Sequence, residues 1–499
     1  MSSSPITRDH AHQGLVNEDL RPVPLEARTW SMWNIAALWI GMSVCIPTYM
    51  LASSMISLGM SWWQALLTVM LGNLIVLVPM ILNGHGGTKY GVPFPVLVRA
   101  TFGISGAHIP TIARALVACG WFGIQSWIGG WAIYTALGAM DVIDIAADTN
   151  DLPLLGITAL ELTCFFVFWA INLAIVVVGI NSIKWLETGA APFLIACGLA
   201  LLIWAFVKVD SISTLFNQPS RFESNADFWK VFFPQLTAMV GFWATLSLNI
   251  PDFTRYCRSQ RDQAFGQALG LPTTMTLFCF IGITVTGATI VVFGEPIWDP
   301  VVLVSRLGAP WVVAVSMIAL TIATLSTNLA ANVVSPANGF SNIAPRRISF
   351  RTGAIITCLI GVIIMPWKLY NDLGAYIFTW LIGYSALLGP VAGVMLCDYF
   401  VLRRTRLDPD ALYDPDGPYR GINHRAMIAM TIAVLPNIPG FIHAAADVAI
   451  LPASAQDYFD QLYTYAWFVG LTIAGLLYFL LARTRVGPAP LDIPPGDES

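Results

Sequence analysis

Three stretches of the chain set chemically useful side chains at helical spacing. The first reads Cys119-Gly-Trp-Phe-Gly-Ile-Gln-Ser-Trp127. Trp121 and Gln125 stand one turn apart on one face of a helix. An indole stacks on a flat ring, and a glutamine amide offers donor and acceptor to that ring's amide edge. Gly120 and Gly123 leave room for the ligand or for another helix. The alternative is that Trp121 packs against lipid or a helix and Gln125 bridges two helices. The second stretch reads Ala323-Thr-Leu-Ser-Thr-Asn-Leu-Ala-Ala-Asn-Val-Val-Ser-Pro336. Ala323, Ser326 and Thr327 share a face. Two hydroxyls, joined by carbonyls from an unwound helix elsewhere, make an all-oxygen shell suited to a hard monovalent cation such as Na⁺. The alternative is that these hydroxyls bond to carbonyls of their own helix. Asn332, five residues past Thr327, points about 140° away from it and serves a neighbouring site.

The third feature is a pair of disruptions. Gly41-Met-Ser-Val-Cys-Ile-Pro-Thr-Tyr49 lies inside an apolar run, and its proline removes a backbone donor. Val240-Gly-Phe-Trp243, followed by Asn249-Ile-Pro-Asp252, interrupts a second run. If five spans are repeated in the next five, these disruptions fall in corresponding helices, where solute sites of inverted-repeat transporters lie. Glycine and proline that merely permit close packing are the other explanation. Charges inside the apolar runs are few: Arg114, Glu161 and, at a helix end, Glu187. Arg114 and Glu161 each lie about two turns from an end, close enough for Arg114 to snorkel and Glu161 to reach headgroups. The middle of the membrane then lacks a carboxylate. That favours a neutral, polar solute over a cationic one.

These residues need helices to hold them, and the composition supplies them. The 499 residues are 56% apolar and 11% charged, against roughly 25% charged in soluble domains. This excludes a soluble enzyme and a disordered chain. With Lys+Arg 25 and Asp+Glu 29, no basic surface points to nucleic acid. Eight scattered cysteines without CxxC spacing read as small core residues, and the six histidines form no metal-binding motif. The polar N-terminus resembles neither a secretory signal nor a transit peptide. Twelve runs are long enough to span a bilayer: 30–56, 62–83, 106–138, 155–179, 187–207, 229–250, 265–294, 308–338, 351–369, 374–401, 426–445 and 461–482. The expected organisation is a tail over 1–29, a first repeat over 30–207, a second over 229–401, two further helices over 426–482 and a tail over 483–499. With a cytoplasmic N-terminus, 19 Lys and Arg residues fall inside and 5 outside, with Arg114 within a span. Both termini are therefore expected in the cytoplasm. Twelve spans without a Walker A motif or an Arg-rich sensor helix point to a secondary transporter. A solute-gated channel or sensor using the same pocket is the other class. No nucleophile–base pair suggests an enzyme.

The sequence resembles the nucleobase–cation symporter-1 family, the bacterial hydantoin, allantoin and uracil permeases and their relatives. The matching stretches run from Ile46-Pro-Thr-Tyr49 and Asn83-Gly-His-Gly-Gly-Thr-Lys-Tyr-Gly91 through Gly120-Trp-Phe-Gly-Ile-Gln125 and Asn249-Ile-Pro-Asp-Phe-Thr-Arg255. They continue with Phe293-Gly-Glu-Pro-Ile-Trp-Asp299, Ser326-Thr-Asn328 and Gly389-Pro-Val-Ala-Gly393. The resemblance implies an all-α, LeuT-type five-helix inverted repeat with two extra C-terminal helices, in the cytoplasmic membrane as a monomer. It implies that Trp121 and Trp243 stack on opposite faces of the solute ring. Gln125 and Asn332 then bond its ureide edge, and Phe242 and Cys45 complete the substrate set. Cys45 replaces a polar amide of several relatives, which leaves room for a ring substituent. The coupling ion is implied to be Na⁺, held by the carbonyls of Gly41, Val44 and Ala323 and the hydroxyls of Ser326 and Thr327. Protons are the alternative ion, and retention of the Thr327 hydroxyl favours Na⁺. No cofactor is expected.

Overall fold

The computed structural model describes residues 14–178, 195–370, 372 and 375–487. Described helices occupy the apolar runs in order. They are α1 (Met32–Ser43), α2 (Ile46–Ser57), α3 (Trp62–Tyr90), α4 (His108–Ala139), α5 (Ala159–Val178), α6 (Ile195–Lys208), α7 (Asn225–Phe242), α8 (Ala244–Asn249) and α9 (Pro251–Thr254). There follow α10 (Gln260–Phe293), α11 (Pro310–Asn332), α12 (Val334–Ile343), α13 (Phe350–Ile363), α14 (Ala375–Leu402), α15 (His424–Ala446), α16 (Ala453–Tyr463) and α17 (Ala466–Ala482). Among the described residues there is no strand, only two isolated bridges. Among the described residues, seven helices are long and apolar enough to cross a membrane, and nine if each of two bent pairs counts as one span. The start of the expected fifth run, with Glu187, lies outside the described residues. The last expected run, 461–482, is corrected at its start. Residues 461–463 belong to α16, which meets α17 at 86°.

Both expected disruptions are real breaks, and the backbone chemistry explains them. Pro47 has no N–H to give Ser43 O, and the Cys45 amide takes that carbonyl instead at 3.0 Å. Cys45 is then unavailable to Gly41 O. α1 ends with Val44 N bonded to Ile40 O, α2 begins with Tyr49 N bonded to Cys45 O, and the axes differ by 61°. In the sixth run Trp243 leaves helical geometry at φ −102°, ψ 3°. Pro251 frees Ser247 O in the same manner, and Asn83 Nδ2 of α3 donates to it at 2.6 Å.

Small residues set the packing. Gly266 and Gly270 of α10 lie against Met32, Ala36 and Trp39 of α1. Gly123, Gly129 and Gly130 of α4 lie against Gly361 of α13 and Phe168 and Phe165 of α5. One group thus joins α1, α2, α3, α7–α9 and α10; a second joins α4, α5, α11, α12 and α13. The seam between the groups holds the candidate site. α14 closes one flank, and π-helical turns at Ala375–Ile382 and Cys397–Leu402 alter its side-chain register. One end of the bundle is basic, carrying Arg99, Arg255 and Arg403; the other is acidic, carrying Asp141, Asp148 and Glu295.

Candidate substrate and cation site

Trp121 projects from the middle of α4 into an aromatic cage. Its ring lies 5.2 Å from Phe242, 6.2 Å from Tyr376, 5.9 Å from Trp380 and 6.4 Å from Tyr384, all near-perpendicular. Gly120 makes the approach of Trp380 possible, because a Cβ there would overlap the indole. Phe242 also stands 5.0 Å from Trp243, whose ring meets Trp39 edge-on at 5.1 Å. The two expected stacking tryptophans therefore share one neighbour: the Phe242 ring touches both. Trp121, Gln125, Phe242 and Trp243 are between 3% and 7% exposed, so the cage is dry.

Dry polar atoms need partners, and several here have none within the protein. Gln125 Oε1, Trp243 Nε1, Trp380 Nε1 and Tyr376 OH are buried without a hydrogen bond. Each costs on the order of 1–3 kcal/mol unless something supplies the missing bond. An unpartnered acceptor and unpartnered donors among these aromatic residues fit a flat solute with alternating N–H and C=O groups. Gln125→Ala is accordingly expected to weaken solute binding by about 1–3 kcal/mol. Competition binding on the folded variant measures this, and an unchanged affinity removes Gln125 from the site.

Asn332 and Cys45 are each engaged by other protein groups. Asn332 Nδ2 donates to Asn328 Oδ1 at 3.1 Å. Asn328 Nδ2 in turn reaches Phe122 O, Ser126 Oγ and Asn172 Oδ1 at 3.2–3.3 Å. Asn332 thus ends a chain of amides that locks α11 to α4 and α5. Cys45 Sγ shares a hydrogen bond with Thr48 Oγ1 at 3.2 Å, within its own helix.

The expected cation ligands lie where α1 packs against α11. The break in the first run leaves Gly41 O without its helical amide, and Val44 O lies ahead of the first bonded amide of α2. Ser326 and Thr327 are buried, and Thr327 Oγ1 donates to Ala323 O at 3.3 Å. That long internal bond is the helix-bonding alternative, and it joins two expected ligands. The set contains five oxygens and no carboxylate. Its charge and hardness fit a monovalent cation better than a divalent one.

A buried carboxylate near the seam was given no role by the sequence reading. Asp252 of α9 is buried and accepts from Phe94 N at 2.9 Å, Ser335 Oγ at 2.6 Å and Asn249 Nδ2 at 3.3 Å. Its carboxylate thus ties α9 to α12 and to the segment after α3. Arg114 is corrected. It does not snorkel: it is 2% exposed, and its Nε and Nη1 have no hydrogen-bond partner. Glu161 lies at the first turn of α5, where its Oε2 accepts from Thr158 N at 2.8 Å. The tyrosines and tryptophan of α14 were also missed. Their signal was the i, i+4, i+8 spacing of Tyr376, Trp380 and Tyr384.

Comparison with known proteins finds relatives over nearly the whole chain. A family of permeases for cytosine/purines, uracil, thiamine and allantoin matches residues 22–470. The purine-uracil permease NCS1 of Arabidopsis thaliana is 43% identical over 478 residues, covering 95% of this chain and 78% of that protein. The allantoin permease of Bacillus subtilis (strain 168) is 41% identical over 485 residues, covering 96% and 95%. Mhp1, a nucleobase-cation-symport-1 family transporter solved in a closed conformation with bromovinylhydantoin bound, has TM-score 0.75 and 26% identity over 94% of this chain and 96% of that chain. A Na⁺-coupled sialic acid symporter, 12% identical, shares the fold at TM-score 0.60 over 97% and 95%. The fold is the all-α, LeuT-type arrangement.

Proposed function

The chain belongs to the family of permeases for cytosine/purines, uracil, thiamine and allantoin and is a multi-pass membrane transporter, and from that premise we propose that it imports a flat, neutral nucleobase or hydantoin-type solute together with Na⁺. The observation that carries the solute class is the dry aromatic cage around Trp121 with its unbonded donors and acceptor. A net-charged solute would meet no counter-ion among Trp121, Gln125, Phe242 and Trp243, at a cost of several kcal/mol. Sugars and free amino acids lack the planar ring and imide edge that this cage rewards. Uracil, hydantoin and allantoin have both features. Trp121 and Trp243 stack on the ring once Phe242 turns aside, Gln125 bonds the edge, and Asn332 joins it by releasing Asn328. Cys45 leaves space beside the ring.

Na⁺ binds the carbonyls of Gly41, Val44 and Ala323 and the hydroxyls of Ser326 and Thr327. Binding there draws α1 onto α11, which fixes the break beside the cage and couples ion to solute. The two helix groups then rock about the seam to alternate access. The transporter resides in the cytoplasmic membrane with its basic end and both termini inside. A single chain supplies every residue of the site, so a monomer suffices.

The ion assignment is tested with Thr327→Val, which keeps the shape and removes one ligand. Na⁺ affinity falls, and Na⁺ enhances solute affinity less. Linkage requires the solute's effect on Na⁺ to shrink by the same factor. Uptake by the unaltered protein that ignores Na⁺ and collapses with a protonophore would instead assign the coupling to H⁺.

A further inference from the structure

A second cavity opens at the acidic end of the bundle. It has a volume of about 310 Å³ and lies between Trp131 of α4, Trp298 and Tyr370, with Glu161 and Asp299 among its polar lining. That volume is at the lower end of the range for small-molecule sites. Its Glu295 is paired with Arg306, which leaves Glu161 and Asp299 as excess carboxylates. Asp299 Oδ1 accepts from Val301 N at 2.7 Å, and its Oδ2 accepts from Tyr370 OH at 3.0 Å.

The position of Tyr370 connects this cavity with the central cage. Its ring lines the cavity and stands 6.4 Å from Tyr376, which stands 6.2 Å from Trp121. Tyr370 is therefore the wall between the two sites, held by its bond to Asp299. Trp127, two residues along α4 from Gln125, lines the same cavity. Aromatic surface thus runs without interruption from the acidic end to the cage.

We propose that this cavity is a second binding site for a planar, uncharged ring bearing N–H donors, filled before the central cage and separated from it by Tyr370. The inference rests on the solute class proposed above. Trp131 and Trp298 provide the stacking surface. Glu161 accepts a ring N–H, a charge-assisted bond stronger than one between neutral groups. The excess carboxylate repels anionic rings and raises the local concentration of cations, so the cavity selects against anions before the cage is reached.

Equilibrium binding to the purified protein tests this, with labelled uracil, hydantoin and allantoin as probes. The unaltered protein is expected to bind two equivalents of the best probe. Trp121→Ala weakens the central site about 5- to 150-fold and leaves one tight site surviving. Glu161→Gln keeps the bond to the Thr158 amide, weakens the surviving site about 10-fold and admits urate as a competitor at neutral pH. Trp298→Ala weakens the same site by an independent route. One equivalent in the unaltered protein, weakened about 5- to 150-fold in Trp121→Ala, would overturn the second site while leaving the central reading intact. No binding of any of the three probes would overturn both.

Discussion

Replacing Trp121 by alanine lowers solute affinity about 5- to 150-fold, because stacking of a base on an aromatic ring contributes about 1–3 kcal/mol. The indole is the one ring of the cage in contact with Phe242, Tyr376, Trp380 and Tyr384 together. Its loss therefore removes the stacking face and loosens the rings that shape the slot. Trp121→Phe keeps an aromatic face and is expected to fall between. Competition binding measures the effect, and thermal unfolding in the same detergent separates it from misfolding. A purely structural Trp121 would lower the unfolding temperature while the folded fraction kept its affinity.

Asp252→Ala is expected to destabilise the structure by about 1–3 kcal/mol for each buried donor that loses its acceptor. It strands the Phe94 amide, the Ser335 hydroxyl and the Asn249 amide at once. Because Asp252 joins α9 of one helix group to α12 of the other, the loss loosens the basic end of the seam. The unfolding temperature falls, and amides of α12 exchange faster. Asp252→Asn, which keeps an acceptor oxygen for these donors, is expected to lose less. A fall of equal size in Asp252→Ala and Asp252→Asn would show that the three hydrogen bonds do not carry the effect.

Much of this architecture was legible in the residues. Hydropathy placed the helices, because a bilayer imposes a length rule on every span. The breaks were legible because proline withdraws a donor whatever the surroundings: Pro47 and Pro251 both free the carbonyl four residues earlier. Trp121 and Gln125 were legible from helical spacing alone. What remained hidden depends on contacts between distant segments. Phe242 filling the space between the tryptophans, Asn328 engaging Asn332, and Asp252 tying α9 to Phe94 and Ser335 are tertiary facts. Arg114 misled because position along a helix says how far a side chain lies from an end. It does not say whether neighbouring helices bar the way to water. The sharp turn between α16 and α17 was hidden for a similar reason, since Tyr463 continues an apolar pattern that the backbone does not follow.

The most direct test of the account is uptake of labelled allantoin, hydantoin and uracil into proteoliposomes, with an inward Na⁺ gradient imposed or absent. The account predicts accumulation of at least one of them above equilibrium only with the Na⁺ gradient. It predicts competition by the other flat neutral rings, none by leucine, glucose or choline, and counterflow exchange of internal for external solute. Accumulation driven by Na⁺ of a charged amino acid, with affinity equal to the best ring, would contradict it, as would solute flux that equilibrates without counterflow.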